Sequence, residues 1–107
     1  MSGYVYAVQL SVPPEKEARF NEIYDREHLP AILALPGVHG CTRYKLEWAT
    51  DEGMPAYLAL YDVDDPELPR SEAWRAAADI GAWPTEIRPF LTERRHSVFR
   101  RLPLAAA

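Results

Sequence analysis

The chain has 107 residues, of which 48% are apolar, and this fits one globular domain over residues 1–107 and argues against disorder. Sixteen acidic residues against 12 basic ones give a net charge of −4, which disfavours a general binder of nucleic acid or of an anionic membrane. The single cysteine, Cys41, excludes an intramolecular disulfide. The N-terminal residues lack the pattern of a signal peptide, and no apolar run reaches the roughly 18 residues of a membrane span, so a cytoplasmic location is expected.

A strand and a helix are predicted first along the chain. Large apolar residues alternate with small or polar ones over residues 4–12, as in a half-buried strand, and two prolines end it. Apolar residues at three-four spacing then predict a helix that carries His28 near its end. Because a residue before proline disfavours helical backbone, the pair Leu29-Pro30 predicts that the helix stops there.

Three further strands and a second helix follow. Residues 38–48 alternate as a second strand, and residues 56–63, apolar on both faces, are typical of a central strand covered on both sides. Ser71 is a good N-cap for a helix that continues to about Ile80. An irregular or briefly helical stretch between two prolines precedes the last strand, at residues 92–102.

The order β-α-β-β-α-β predicts the fold class. It matches the ferredoxin-like α+β unit, in which two helices cover one face of an antiparallel sheet. The central strand is apolar on both faces, so the sheet face without helices also needs cover. Two sheets that pair face to face across a two-fold axis provide it. We therefore expect a homodimer through the sheet face, including the Arg43 side of the second strand and parts of residues 56–63.

Several segments resemble the dimeric α+β barrel superfamily, and within it the EthD-like branch, named for ethyl tert-butyl ether degradation. The segments are Tyr24-Asp25-Arg26-Glu27-His28-Leu29-Pro30, Leu35-Pro36-Gly37-Val38, Arg43-Tyr44, Tyr57 to Tyr61, and Ser71 with Trp74 and Arg75. The resemblance implies a dimer with a pocket between the helices and the sheet of each subunit. Relatives of this fold include muconolactone isomerases, small polyketide cyclases, cofactor-free quinone-forming monooxygenases and haem-degrading oxygenases.

His28 is the first candidate for a catalytic residue. Phe20, Tyr24 and His28 recur every four residues, so they share the helical stripe that must face the sheet. An imidazole whose pKa is near neutrality can move protons without a cofactor. A nearby acid would orient the ring and raise its pKa: Glu22, Asp25 or Glu27. The alternative is a structural histidine that bonds backbone groups at the end of the helix.

Aromatic residues supply the predicted substrate pocket. At 11% of the chain they are numerous enough to line an apolar cavity as well as to fill the core. Tyr24 is the second catalytic candidate, because a phenol can donate a hydrogen bond to a developing enolate or phenolate. For most aromatic residues, packing in the core is the alternative role. The predicted substrate-binding residues are Tyr6, Phe20, Tyr44, Tyr61, Trp74 and Trp83.

The predicted function is a cofactor-independent cyclase, isomerase or lyase. It acts by general acid/base chemistry on a small hydrophobic, oxygenated substrate of aromatic or polyketide-like type. Two alternatives stay open: a cofactor-free monooxygenase of the same fold, and a non-catalytic accessory protein that binds a small ligand. We expect no metal site, because His39 and Cys41 lack a third ligand within sequence reach, and a nucleophilic Cys41 is a minor alternative. The basic last strand is expected to be solvated or to pair with acids of a partner subunit.

Overall fold

Four antiparallel strands form the sheet that organises the fold. The computed structural model describes residues 3–103, and its strands are β1 Tyr4–Ser11, β2 Val38–Lys45, β3 Tyr57–Val63 and β4 Glu93–Arg100. The order across the sheet is β2-β3-β1-β4, and every neighbouring pair is antiparallel. This is the ferredoxin-like βαββαβ arrangement, an α+β fold, as the element order predicts. β3 lies inside the sheet, in agreement with its apolar residues on both faces.

The first helical region is longer than the sequence predicts. It continues directly through α1 Glu17–Ile23, a first π-helical segment Tyr24–His28 and α2 Leu29–Leu33. The expected stop at Leu29-Pro30 is therefore wrong. The N–H of Leu29 bonds the carbonyl of Tyr24, five residues earlier. Pro30 falls in the first turn of α2, the part of a helix where a missing N–H is best tolerated.

The second helical region has three parts. α3 spans Glu72–Ala78, and the Ser71 side chain accepts the N–H of Trp74 at 3.2 Å, which confirms the predicted N-cap. A second π-helical segment, Trp83–Ile87, and a short 3-10 turn, Arg88–Phe90, follow it. None of the helices between residues 3 and 103 is both long enough and apolar enough to cross a membrane.

The core fills the space between the helical regions and one face of the sheet. Two of its polar groups pair with each other: the buried hydroxyls of Tyr24 and Tyr61 hydrogen-bond across the helix–sheet boundary. Burial of large apolar side chains from β3 and from the helices stabilises this packing. The largest fully buried side chains are Tyr24, Tyr61, Phe20, Ile23, Ile32, Ile87 and Val63.

A β-bulge in β2 reverses the faces expected for this strand. The register against β3 shifts just after Val38. Beyond the shift Arg43 pairs with Ala59, which faces the helices, and its guanidinium donates to Asn21 at 2.8 Å and to Asp25 at 2.7 Å. The Arg43 side of β2 therefore faces the helices, and its expected place in the dimer interface is wrong. The extra residue of a bulge changes which side chains point inward, and simple alternation in the sequence does not reveal it.

The opposite face of the sheet has no helix over it within residues 3–103. Leu58 and Leu60 of β3 point to this side, since they alternate with buried residues that face the helices. Tyr44 of β2 and Phe99 of β4 lie on the same side and are 49% and 60% exposed. We refer to Ala7, Tyr44, Leu58, Leu60 and Phe99 as the open sheet face.

Candidate functional site

A cavity of about 450 Å³ lies between the sheet and the helical regions. Side chains from β1, β3 and β4 contribute one side of it, and the two π-helical segments and α3 contribute the other. These side chains come from distant stretches of the chain, so only the folded state brings them together. Six of the eight sequence-predicted site residues line the cavity: Tyr6, Tyr24, His28, Tyr61, Trp74 and Trp83.

The other two predicted site residues lie elsewhere. Phe20 is fully buried, and its ring centroid is 4.9 Å from that of Tyr57 and 5.9 Å from that of Trp83, so it packs behind the cavity wall. Tyr44 lies on the open sheet face, because the bulge in β2 separates it from the inward-facing Val38. Tyr44 is thus not positioned to contact a ligand in this cavity.

His28 is a buried polar side chain in the cavity wall. Its ring stacks on the indole of Trp83, with centroids 4.2 Å apart and planes at 24°, and meets the ring of Tyr24 at 5.0 Å. Only 8% of the residue is exposed, and its Nδ1 atom has no hydrogen-bond partner among the described residues. The helix continues past His28, whose side chain caps no helix end. The backbone-bonding role considered as the alternative is therefore not formed.

None of the three nearby acids contacts His28. Each has another partner: Glu27 accepts the N–H of Ala82, Asp25 holds the guanidinium of Arg43, and Glu22 that of Arg19. The expected rise in the pKa of His28 is therefore wrong. Burial, with smaller contributions from the charges of Arg88 and Arg43, lowers this pKa to about 4. At pH 7 the imidazole is neutral, so one ring nitrogen can accept a hydrogen bond from a ligand.

Both members of the stacked pair lie in π-helical segments, a local geometry that is frequent at functional sites. Glu27 connects the two segments, since its carboxylate accepts the N–H of Ala82 at 2.8 Å, one residue before Trp83. Gly81 makes this approach possible: its φ is +75°, and a Cβ there would lie 2.2 Å from Oε1 of Glu27. Glu27 and Gly81 thus position Trp83 against His28, and the sequence marks Gly81 only as a helix end.

Two phenols and a thiol beside the cavity form a neutral cluster. Burial raises the pKa of Tyr24 and of Tyr61 above the usual phenol value. Burial also raises the pKa of Cys41 to about 11, against a smaller opposing effect of a hydrogen bond with Tyr61. All three groups stay protonated at pH 7, so Tyr24 is a hydrogen-bond donor and Cys41 lacks the thiolate that a nucleophile needs.

β4 adds two cavity residues that sequence reasoning missed. Arg94 and His96 line the cavity, because they pair with the inward-facing Leu10 and Val8 of β1. Nε of Arg94 donates to Nε2 of His96 at 3.1 Å, and the Tyr6 hydroxyl oxygen lies 2.6 Å from Nδ1. Burial, and to a lesser extent the charge of Arg94, lowers the pKa of His96, so the ring is neutral and carries its hydrogen on Nδ1. Tyr6 accepts that hydrogen and keeps its own hydroxyl hydrogen for a ligand.

The two possible metal ligands of β2 do not come together. His39 contacts Asp64 at the surface, with Nε2 and Oδ2 2.8 Å apart, whereas Cys41 faces the helices. In the part of the chain that the structure describes, no three His, Cys, Asp or Glu side chains form a group that could hold a metal ion.

The fold is shared with solved structures of distant sequence. A protein of the EthD family from Bacillus halodurans has a TM-score of 0.64 and 19% identity, over 92% of this chain and 99% of that chain. A variant of SnoaB, a cofactor-independent oxygenase from Streptomyces nogalater, has a TM-score of 0.60 and 22% identity, over 99% and 100%. A dimeric ferredoxin-like protein of unknown function from Thermobifida fusca has a TM-score of 0.58 and 18% identity, over 92% and 91%.

These likenesses show a shared ferredoxin-like α+β fold, the fold that the sequence motifs imply. Neither a protein-family model nor a curated protein sequence matches the chain. Because one fold hosts many activities, the activity of this chain has to be inferred from its own site.

Proposed function

We propose that the protein is a cofactor-independent monooxygenase for a small aromatic or polyketide-like substrate with an acidic ring C–H group. The observation that carries the proposal is His28, which is buried, neutral and unbonded at Nδ1, and which stacks on Trp83 in the cavity wall. A buried polar atom without a hydrogen bond is costly, and such atoms call for a functional explanation. A proton acceptor held in an aromatic cavity provides one.

The first step is the transfer of a proton from a ring CH₂ group of the substrate to His28. The carbanion that remains is delocalised onto a ring oxygen, where the charge needs a donor. Tyr6 supports this step, because His96 donates to its oxygen and leaves the hydroxyl hydrogen available. The stacked Trp83 and the edge of Tyr24 hold the imidazole in place while it is protonated.

O₂ is the second substrate, and the organic substrate supplies the electrons. The carbanion forms a C–O bond with O₂, and the proton held by His28 returns to the resulting peroxide. The neutral His28 then takes the remaining C–H proton, the C=O bond forms as the O–O bond breaks, and the hydroxide that leaves takes up that proton to give water. The balance is one CH₂ group and one O₂ converted to one C=O group and one H₂O.

A cofactor-independent isomerase or cyclase is the second candidate, and it uses the same first step. The free hydroxyl hydrogen of Tyr6 favours this candidate, because an enolate that lives long enough to rearrange needs such a donor. The enolate is then protonated at another carbon or closes a ring, and no O₂ is consumed. The third possibility, an accessory protein, binds the ligand without turnover.

Oxygen uptake with anthrone as the probe distinguishes the monooxygenase from the other two candidates, neither of which consumes O₂. Anthrone has an acidic ring CH₂ group, and a monooxygenase consumes one O₂ for each anthraquinone formed. We expect His28→Gln to lower the rate at least about 100-fold, the usual size of a general-base contribution. His39→Gln is the matched control, because the same change at a half-exposed surface histidine should leave the rate unchanged. Turnover of anthrone that is equal in His28→Gln and in the unchanged protein would reject the proposal.

We also infer that the chain forms a homodimer through the open sheet face. Leu58 and Leu60 are half-buried there, and Tyr44 and Phe99 are exposed. Together with Ala7 of β1 they make a contiguous apolar surface across all four strands. Monomeric proteins rarely leave large patches of this kind in water. A two-fold axis would pair the surface with itself, and the structural neighbour from Thermobifida fusca, with the same fold, is dimeric.

A further inference from the structure

The cavity is lined by positive charge, although the chain as a whole is acidic. The net charge of the protein is −4, yet three arginines line the cavity against one carboxylate. The arginines come from three different elements: Arg75 from α3, Arg88 from the 3-10 turn, and Arg94 from β4. The carboxylate belongs to Asp79. The charge that a ligand meets is therefore opposite in sign to the charge of the chain.

One arginine of the three is neutralised, and the other two are not. Nη2 of Arg88 lies 2.7 Å from Oδ1 of Asp79. Within residues 3–103, neither Arg75 nor Arg94 has a carboxylate within ion-pair distance. Arg94 donates to the neutral His96 instead, which leaves its charge in place. Two guanidinium groups in the cavity wall thus keep their full positive charge.

Five of the seven arginines elsewhere in the fold have acidic partners. Ion pairs to carboxylates hold Arg19, Arg26, Arg43, Arg70 and Arg101. A further arginine without such a partner among the described residues, Arg100, lines a second cavity of about 400 Å³ that shares Tyr6 and His96 with the first. The remaining one, Arg95, pairs with Gln9 on the other side of the sheet. Uncompensated arginines are thus concentrated along the cavities.

We propose that the substrate carries a carboxylate, which Arg75 and Arg94 bind, while its ring system packs against Trp74 and Trp83. A guanidinium recognises a carboxylate through two parallel N–H···O bonds, which are stronger than bonds between neutral groups. The aromatic wall binds the ring system. The substrate of the proposed monooxygenase is then an aromatic or polyketide-like acid. This inference rests on the proposed function, which makes the cavity the substrate-binding site.

Calorimetric titration with a pair of matched probes tests the carboxylate site. 2-Naphthoate and 2-naphthamide share one ring system and nearly one shape, and they differ in charge. At pH 7 and low ionic strength we expect the unchanged protein to bind the acid at least about tenfold more tightly than the amide. We expect this preference to weaken as salt is added, because the two arginines are exposed to solvent.

Substitutions on β4 supply the control. Arg75→Gln and Arg94→Gln should each weaken binding of 2-naphthoate about five- to tenfold and leave binding of 2-naphthamide unchanged. Arg95→Gln removes the same charge one residue from Arg94, on the other side of the sheet, and should change neither affinity. Equal affinity for acid and amide in the unchanged protein, no binding of either, or an equal loss in Arg95→Gln would each overturn the inference.

The naphthoate binding experiment and the anthrone experiment can fail independently of each other. If His28→Gln abolishes oxygenation while 2-naphthoate and 2-naphthamide bind with equal affinity, the proposed reaction stands and the carboxylate site is rejected. If binding follows the charge and Arg75 while anthrone and its carboxylated analogues are not turned over, the carboxylate site stands and the monooxygenase proposal is rejected.

Discussion

The two faces of the sheet are made by the same four strands but differ in what covers them and in which side chains they carry. The helix face bears a cavity in which polar groups have defined partners, such as Tyr6 on His96, and one buried group without a partner, His28. The open sheet face carries half-buried apolar side chains of β3, and no helix between residues 3 and 103 covers it. Because side chains alternate along a strand, neighbouring residues belong to opposite faces. Substitutions one residue apart can therefore test binding and association separately.

The largest effect is expected on the open sheet face. Leu60→Glu places a charge at the centre of the proposed interface, opposite Ala7, where the partner's apolar surface cannot hydrate it. In sedimentation at micromolar concentration the unchanged protein should show about twice the chain mass of 12.2 kDa, and the variant the mass of one chain. Leu33→Glu is the control, because Leu33 is exposed on α2 and should leave the dimer intact. A monomeric unchanged protein would contradict the role assigned to this face.

On the helix face, the burial of His28 should make the stability of the protein depend on pH. Its pKa falls from 6.5 to about 4 on folding, so between these values the unfolded chain binds more protons. The contribution of His28 to the free energy of unfolding is therefore fully present above about pH 6.5. As the pH falls towards 4 this contribution is lost, and the free energy of unfolding decreases by roughly 3 kcal/mol. Urea unfolding at several pH values should show this loss in the unchanged protein. His28→Gln should remove it, whereas the surface variant His39→Gln should keep it.

A smaller effect is expected where Glu27 meets Gly81. Gly81→Ala strains a residue at φ +75° and forces its Cβ against the Glu27 carboxylate. We therefore expect the free energy of unfolding to fall by about 2 kcal/mol. Gly53→Ala is the matched control, because Gly53 has φ +78° and open space around it, and should lose only about 1 kcal/mol. Thermal unfolding measures both losses. Equal losses would show that Glu27 does not hold the loop before Trp83.

The sequence predicts the framework of the helix face well. Alternation and three-four spacing depend on local burial, and they correctly indicate the four strands, the position of β3 and the inward stripe with Tyr24 and His28. Aromatic residues on inward positions of different elements, such as Tyr6 and Trp74, then meet in one cavity. These features follow from the spacing of apolar residues along the chain, which can be read from a single sequence.

The missed features depend on contacts between distant residues. The bulge in β2 is a pairing irregularity against β3 that moves Tyr44 to the open sheet face, and strand alternation does not show it; Gly40, at the shift, is the one sequence signal for it. The partners of Glu27 and Asp25 lie on other elements, which is why nearness along the chain suggested the wrong pKa for His28. Arg94 and His96 could have been found, since alternation along β4 places both beside the inward residues of β1.

The central claim is that His28 is a neutral proton acceptor in the cavity, and a nuclear magnetic resonance titration of its ring tests this most directly. The ring signals, assigned by their loss in His28→Gln, should keep constant chemical shifts from pH 8 down to about pH 5, because burial lowers the pKa to about 4. A titration midpoint at or above the ordinary value of about 6.5 would contradict the account. It would mean that a charge partner, and not burial, controls the imidazole.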